Sequence, residues 1–455
     1  MGVTAEIAEF ACRIRWEDIP AEVVAVAMEH ILDTFGVMLA GSTQPAATIV
    51  RQVYGAEGGP SPVFGTQERR TPALAALYNG VAGHALDYDD TQLSTSPEAV
   101  YGLLTHPSVP VLSAVAALAG GSSGRELVTA YVAGVEVACR VADAANPRHY
   151  QEGFHSTGTI GTIGAAAGVG RLLGFDPKTM ATALGIAASM ASGLRENFGT
   201  MTKPLHSGRA GHNGLLAARL AASGFTASPT ILEAKRGFYR AAAGGFDADK
   251  ISGRLGRPFF LLSPGVSIKP YPSGSLSHPA QDLIIDIVRQ HDLKPADVAS
   301  VVVGTNSNVP NALIYSRPHT ELEAKFSLEY CMATGVLRRR AGLSEFTDAA
   351  VNDPAIQAFL PRVQVVVDPE LEAMGYQHVR SRVHVTTTGG RVIDGEAEWA
   401  RGYPGNDLRP ADLDAKFTEC AECALTSPRA RRALQAIRGL PAAAAAGEVL
   451  AALQA

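Results

Sequence analysis

The sequence has few aromatic residues, no excess of positive charge and no cysteine framework. Only 6% of its 455 residues are Phe, Trp or Tyr, while glycine alone occurs 46 times. That mixture favours close-packed helices over an all-β sandwich. The formal charge is -5 and no long basic run is present, which argues against a nucleic-acid partner. The five cysteines, Cys12, Cys139, Cys331, Cys420 and Cys423, are odd in number and irregularly spaced, so reduced thiols and a cytoplasmic setting are expected. Cys420 and Cys423 form a lone CxxC, and without a second pair or a nearby His it does not read as a zinc site. The N-terminal MGVTAEIAEFACRIRWEDIP carries acidic residues early and lacks the apolar segment of a secretory signal. No apolar stretch reads as reaching the roughly 18 residues of a membrane span, so no membrane partner is expected. HExxH, GxGxxG and GxxxxGK[ST] are absent as well, which lowers the odds of metalloprotease, dinucleotide and P-loop chemistry.

What is present is globular: 46% hydrophobic and 18% charged residues, in a chain long enough for two domains. From Thr4 to about Ser263 the text reads as helix after helix, with apolar residues at i, i+3 and i+4 in AEVVAVAMEHILDTFGVMLAG and its successors. GTIGTIGAAAGVGRLLG spaces glycines at 158, 161, 164 and 168, a face on which two helices can approach closely. β-branched runs then begin: ADVASVVVGT, RVQVVVDPE and SRVHVTTTGGRVIDGEAEW, the last with a Gly389–Gly390 hairpin signal. Helical text returns after Pro410. The expected fold is mainly α, a large all-helical domain over 1–265 and 403–455 with a smaller α+β lid domain over 266–402.

Polar residues interrupt this bland helical text at a few places. GHALDYDDT ends a helix with His84, Asp87, Asp89, Asp90 and Thr91. Asp87 and Thr91, four apart, could share a helical face, with Asp89 pointing elsewhere. THPSVP sets His106 at the start of the next helix. NPRHYQEGFHSTGT brings Tyr150 and His155 to the start of the glycine-rich helix, whose N-terminus favours an anion. RENFGTMTKPLHSGRAGHNG adds Arg195, Asn197, Lys203, His206 and Arg209, with Lys203-Pro204 placing the lysine in a loop or at a helix start. KPYPSGSLSHPAQD adds Lys269, Ser273, Ser275 and His278 at the domain junction, a favoured place for small-molecule sites. His, Lys and Tyr are the general acid–base set, while Arg, Lys and Ser bind carboxylates. Proton transfer on a small polyanion fits this inventory, and nothing in it calls for a metal or another cofactor.

HALDYDDT, THPSVPVL, GFHSTGTIGTIGAAA, TMTKPLHSGRAGHNG, KPYPSGSLSHPA and AKFSLEY, in this order, resemble the MmgE/PrpD family. Its members include dehydratases, decarboxylases and epimerases of small carboxylic acids. The resemblance implies a helical large domain, an α+β lid, a cleft between them and a homodimer. It implies site roles for Asp87, Thr91, His106, His155, Lys203, His278 and Tyr330. It also implies that Tyr150 is the tyrosine that pairs with the lysine in the epimerase branch. HALDYDDT departs from the HQLDFNDT usual in dehydratases. QLSTSPEAVYGLL, after Thr91, is longer than in decarboxylases, and KPYPSGSLSHPA lacks a cysteine common in that loop.

The expected reaction is cofactor-free proton abstraction beside a carboxylate, with dehydration of a hydroxy di- or tricarboxylate first. Epimerisation of an iminodisuccinate-type acid and decarboxylation of a cis-aconitate-type acid are the alternatives. Asp87, His106, Tyr150, His155 and Lys203 are the expected catalytic groups. Thr91, Arg195, Asn197, His206, Ser275, His278 and Tyr330 are the expected substrate contacts. A non-catalytic, polyanion-binding helical scaffold would instead scatter Lys203 and the histidines over the surface. For a dimer, the small-residue helices near 157–172 and 180–193 offer apolar area beyond one core's need.

Overall fold

The computed structural model describes residues 2–455 except 56, 97–98 and 376–377, and no side chain between 94 and 104. The chain is mainly helical. The helix Thr202–Ala222 packs against Pro72–Ala85, Ser108–Leu118, Ser156–Leu172 and Pro177–Met190. Local sequence explains where several helices begin. Ser123 and Glu126 form a reciprocal capping box at the start of Gly124–Ala145. Asp176 accepts the Lys178 and Thr179 amides ahead of Pro177.

Glycine sets the distance between these helices. A Cβ on Gly208 would sit 2.5 Å from the Leu77 carbonyl, and one on Gly164 would sit 2.7 Å from the Ala138 Cβ. Every residue from Ser156 to Gly170 is buried within the chain. The glycine face is therefore used inside the chain, and only Arg171 and Leu172 of this helix keep partial exposure.

Two expectations need correction. The large helical region is not free of strands. β1 (Ser61–Pro62) pairs with β2 (Arg69–Arg70), and β3 (Gln92–Ser96) pairs with β4 (Ala99–Thr105), both antiparallel. The long segment after Thr91 is thus a β-ribbon at its described residues, with Pro97 and Glu98 outside them. Secondly, Ala21–Gly41 is long and apolar enough to cross a membrane, contrary to the expectation that no such stretch exists. Of its most apolar window 78% is buried, and it carries His30 and Asp33 into the interior beside Asp90 and Lys416. It is packed as a core helix, with Pro410–Glu422 lying along it.

A second apolar core draws mainly on residues 271–403. Its sheet has the order β6-β5-β7-β8, with β5 Val298–Thr305, β6 Val363–Val367, β7 Ser381–Thr387 and β8 Val392–Ala397. β5 and β6 run parallel and the other pairs antiparallel. β7 alternates as a half-buried strand should, with Val383 and Val385 inward and Arg382 and His384 outward. The helix His278–Gln290 covers β7 and β8, and Leu328–Arg338 packs on that helix. Tyr330 belongs to this core. Its hydroxyl donates to the Glu345 carbonyl and its ring packs edge-on against Phe346 at 5.5 Å.

Candidate active site

His84 lies in the last turn of Pro72–Ala85, fully buried. The helix then stops, and Asp87 takes a positive φ of 52°. This left-handed turn is tolerable for Asp and folds the acidic segment back under the helix end. Asp87 and Thr91 therefore share no helical face. Thr91 instead pairs with Ser267 through two backbone hydrogen bonds of 2.8 Å. That bridge brings the 267–278 segment against the acidic turn. Lys269 donates to the Asp87 carbonyl at 2.9 Å and lies 3.1 Å from its carboxylate. Lys416, from Pro410–Glu422, donates to the carbonyls of Tyr88 and Lys269 at 2.9 and 2.8 Å.

Lys203, in the first turn of Thr202–Ala222, points into the same place. Its ammonium donates to Asp87 at 2.6 Å and to His84 Nε2 at 2.9 Å. With Nε2 accepting, the imidazole proton of His84 must sit on Nδ1, which faces Asp89 at 2.8 Å. Asp89 also takes His106, whose Nδ1 lies 3.3 Å from its carboxylate and 3.3 Å from Thr91 Oγ1. Thr91 in turn meets Ser275 Oγ at 3.2 Å. Asp89 thus points into the site rather than away from it. Asp90 is a support: it holds His30 at 2.8 Å and accepts from Ser108.

The charges follow from burial and neighbours. Burial alone would raise the Asp87 carboxyl, but Lys203 and Lys269 outweigh it and hold it below the usual carboxylate range. Asp89 is likewise buried yet held low by the imidazoles of His84 and His106. Burial pushes His84 down to about 3, with Lys203 acting in the same direction against Asp89. His155, stacked on His84 at 5.5 Å, is kept neutral by burial and then by Lys203. Its Nδ1 lies 3.0 Å from Nδ1 of His206, which burial holds down to about 4. His278 is held down to about 3 by burial and by Lys269, and its Nε2 donates to the Ser273 carbonyl at 3.2 Å.

Asp87, Thr91, His106, His155, Lys203, His206, Ser275 and His278 are thus linked by contacts or by direct electrostatic coupling around one buried centre. This is opposite to the dispersal that a scaffold would show. The Arg195 guanidinium lies over the Tyr150 ring, 3.7 Å from its centroid, and donates to the Tyr150 carbonyl at 3.0 Å. Both Arg195 and Lys203 face the Phe198 ring, at 5.9 and 5.4 Å, so this pair flanks the centre. Asn197 shares the short turn Arg195–Asn197, and its carbonyl accepts the Thr200 hydroxyl. Tyr330 stands apart, its hydroxyl satisfied within the second core. His149 is a packing residue, with one ring nitrogen on the Ala242 carbonyl and the other on Thr159.

Sequence reasoning left out His84, Asp89 and Lys269 as site groups, although all three lie inside the motifs that drew attention. The missing signal was tertiary, since only the positive-φ turn aims Asp89 inward. His84, Asp89 and His106 each offer an atom within 4.8 Å of the others, a spacing that a cation could use. The hydrogen bonds above already engage these atoms, and the Lys203 ammonium beside His84 repels a second cation.

Models of the MmgE/PrpD N-terminal domain and the MmgE/PrpD C-terminal domain match residues 5–251 and 271–441. The cis-aconitate decarboxylase of Homo sapiens is 29% identical over 416 residues, covering 87% of this chain and 82% of that protein. That of Aspergillus terreus is 28% identical over 367 residues, covering 76% and 74%. A cis-aconitate decarboxylase-like protein of Aspergillus oryzae is 24% identical over 477 residues, covering 99% and 97%. The two domain models together cover most of the chain, in the order in which the buried site draws its residues from it: this protein belongs to the MmgE/PrpD family.

Proposed function

We propose that this protein is a lyase that decarboxylates a small unsaturated tricarboxylate of the cis-aconitate type, using side chains alone. The observation that carries the reading is the buried Lys203 ammonium, held between ionised Asp87 and the neutral face of His84. Decarboxylation breaks the bond between carbon and one carboxylate. Carbon dioxide leaves and its electron pair stays on the substrate, spread over the adjacent double bond and carboxylate. A proton must then be delivered to carbon. Lys203 supplies an N–H at the right place, Asp87 orients it by accepting at 2.6 Å, and Lys269 steadies the negative charge.

Dehydration, the reaction favoured on sequence, uses the same groups but needs an acid aimed at a leaving hydroxide. The relatives named as decarboxylases tip the choice, together with burial that keeps His84, His155 and His278 neutral and so poor acids at pH 7. The test is incubation of the purified protein with cis-aconitate, 2-methylcitrate and aminosuccinate-type acids in deuterated water, followed by NMR. Loss of carbon dioxide with one deuterium placed on carbon is the expected result. Water loss alone, or deuterium exchange with inversion and no loss, would overturn it in favour of a dehydratase or an epimerase.

A further inference from the structure

Four lysines are buried among the described residues: Lys203, Lys269, Lys325 and Lys416. Three have their ammonium groups satisfied. Lys203 donates to Asp87 and His84, Lys269 to the Asp87 carbonyl, and Lys416 to two carbonyls beside Asp33. Lys325 is different. It is 1% exposed, its Nζ has no hydrogen-bond partner, and its nearest counter-charge, Glu321 Oε1, lies 3.9 Å away. A desolvated ammonium without acceptors is costly, and such groups are usually paired or functional.

The position of Lys325 says what it faces. It occupies the break between the short helix Glu321–Ala324 and Leu328–Arg338, and its carbonyl is fixed by the Gly274 amide at 2.8 Å. The following residue, Phe326, lies with its ring 5.5 Å from the Lys203 ammonium and stacked on Phe198. Burial lowers the Lys325 ammonium, and Asp87 and Lys203 are among the charges that it feels. It therefore belongs to the segment whose Phe326 ring lines Lys203, within electrostatic reach of Lys203 and Asp87.

We propose that Lys325 is a specificity-determining residue that binds the third carboxylate of a tricarboxylate, the group that a dicarboxylate lacks. The inference rests on the polycarboxylate reading above. Lys203 and Lys269 are already held on Asp87 at the reacting end, whereas Lys325 has three N–H bonds free for an incoming anion.

The test is calorimetric titration of the whole protein with propane-1,2,3-tricarboxylate and with glutarate, neither of which offers the unsaturation that the reaction needs. Wild-type protein should bind the tricarboxylate more tightly. Lys325→Met should weaken it by about 10- to 100-fold, the range for one charge-assisted hydrogen bond, and change glutarate by less than about 3-fold. With the reacting substrate, KM should rise by a similar factor while kcat stays within about 3-fold, since the group acts in binding. Lys325→Arg should retain at least part of the preference, and Lys325→Gln gives the same reading if the Met variant does not fold. Equal effects on both ligands, or none on either, would overturn the assignment and leave a lysine that only balances Glu321. Failure of wild-type protein to bind either acid would instead overturn the polycarboxylate reading itself.

Discussion

Lys203 Nζ and Asp87 Oδ1 are 2.6 Å apart, although 116 positions separate them in the chain, and both side chains are about 5% exposed. Because Lys269 lies 3.1 Å from the same carboxylate oxygen, Asp87 is shared by two buried cations. The arrangement sets two buried ammonium groups on one carboxylate, and on the proposed reading the first of them is the proton donor.

Lys203→Met should therefore cut kcat by about 10²-fold or more, the usual cost of losing a general acid or a charge-stabilising donor. Breaking a buried pair usually costs about 3–5 kcal/mol, but Lys269 remains beside Asp87, so a loss of about 1–3 kcal/mol is expected here. Lys203→Arg should not restore turnover, since the guanidinium is bulkier and holds its proton. Steady-state kinetics and urea melts check both points, and retention of more than half the rate would remove Lys203 from the mechanism.

Stability should fall as the pH drops through the histidine range. An unfolded histidine takes up its proton near pH 6.5, whereas folded His84 and His278 do so near pH 3, and His155 is also held well below its usual value. Folded values are depressed, so the stabilisation is complete above about pH 6.5 and is lost as pH falls towards those values, at about 1.4 kcal/mol per unit for each group. Asp33, raised by burial to about 6, works in the opposite direction over part of this window. Asp87 and Asp89 are depressed carboxylates and act only below about pH 4. The net expectation is a loss of about 2–3 kcal/mol between pH 6.5 and 5.5, read from urea melts at the two values. Equal stabilities would mean that these imidazoles are not buried neutral.

The readable parts of the fold were those set by local pattern. The Asp176 cap, the Gly389–Gly390 hairpin and the strand runs at 298–305 and 381–387 each carry their signal within a few residues. The β3–β4 ribbon was hidden because QLSTS and its partner lack clean alternation, and their pairing is irregular, with register shifts at Ser94 and Ser96. In the site, the motifs marked the right segments but not the right atoms. Asp89 turns inward and Thr91 leaves the helical face of Asp87 because φ at Asp87 is positive, a choice that helical periodicity does not encode. Lys269, named from its motif, gained its place only through its contacts with Asp87, and Lys325 became visible only once burial separated satisfied ammonium groups from an unsatisfied one.

Activity should survive dialysis against a chelator. His84, Asp89 and His106 have the spacing of a cation site, yet their mutual hydrogen bonds and the adjacent Lys203 ammonium already balance the Asp89 charge. Full turnover in the presence of EDTA, with no metal found by elemental analysis, is the expected outcome. Loss of turnover that Mg²⁺ or Zn²⁺ restores would convert these three residues into ligands and displace Lys203 from its role.

Tyr330 separates family resemblance from geometry. The AKFSLEY motif implied a place for it at the substrate, whereas its hydroxyl donates to the Glu345 carbonyl and its ring packs on Phe346 within the second core. Burial pushes its phenol well above the usual tyrosine range, so it neither gives nor takes a proton near neutral pH. A residue placed this way contributes to stability and not to turnover. Tyr330→Phe removes one buried hydrogen bond and leaves the Glu345 carbonyl without that donor, which should cost about 1–2 kcal/mol. kcat and KM should both stay within about 2-fold, because the phenyl ring keeps its packing on Phe346 and nothing at Lys203 or Asp87 moves. A tenfold rise in KM with unchanged stability would place the hydroxyl on substrate after all, and would require the helix Leu328–Arg338 to turn towards the site when substrate binds.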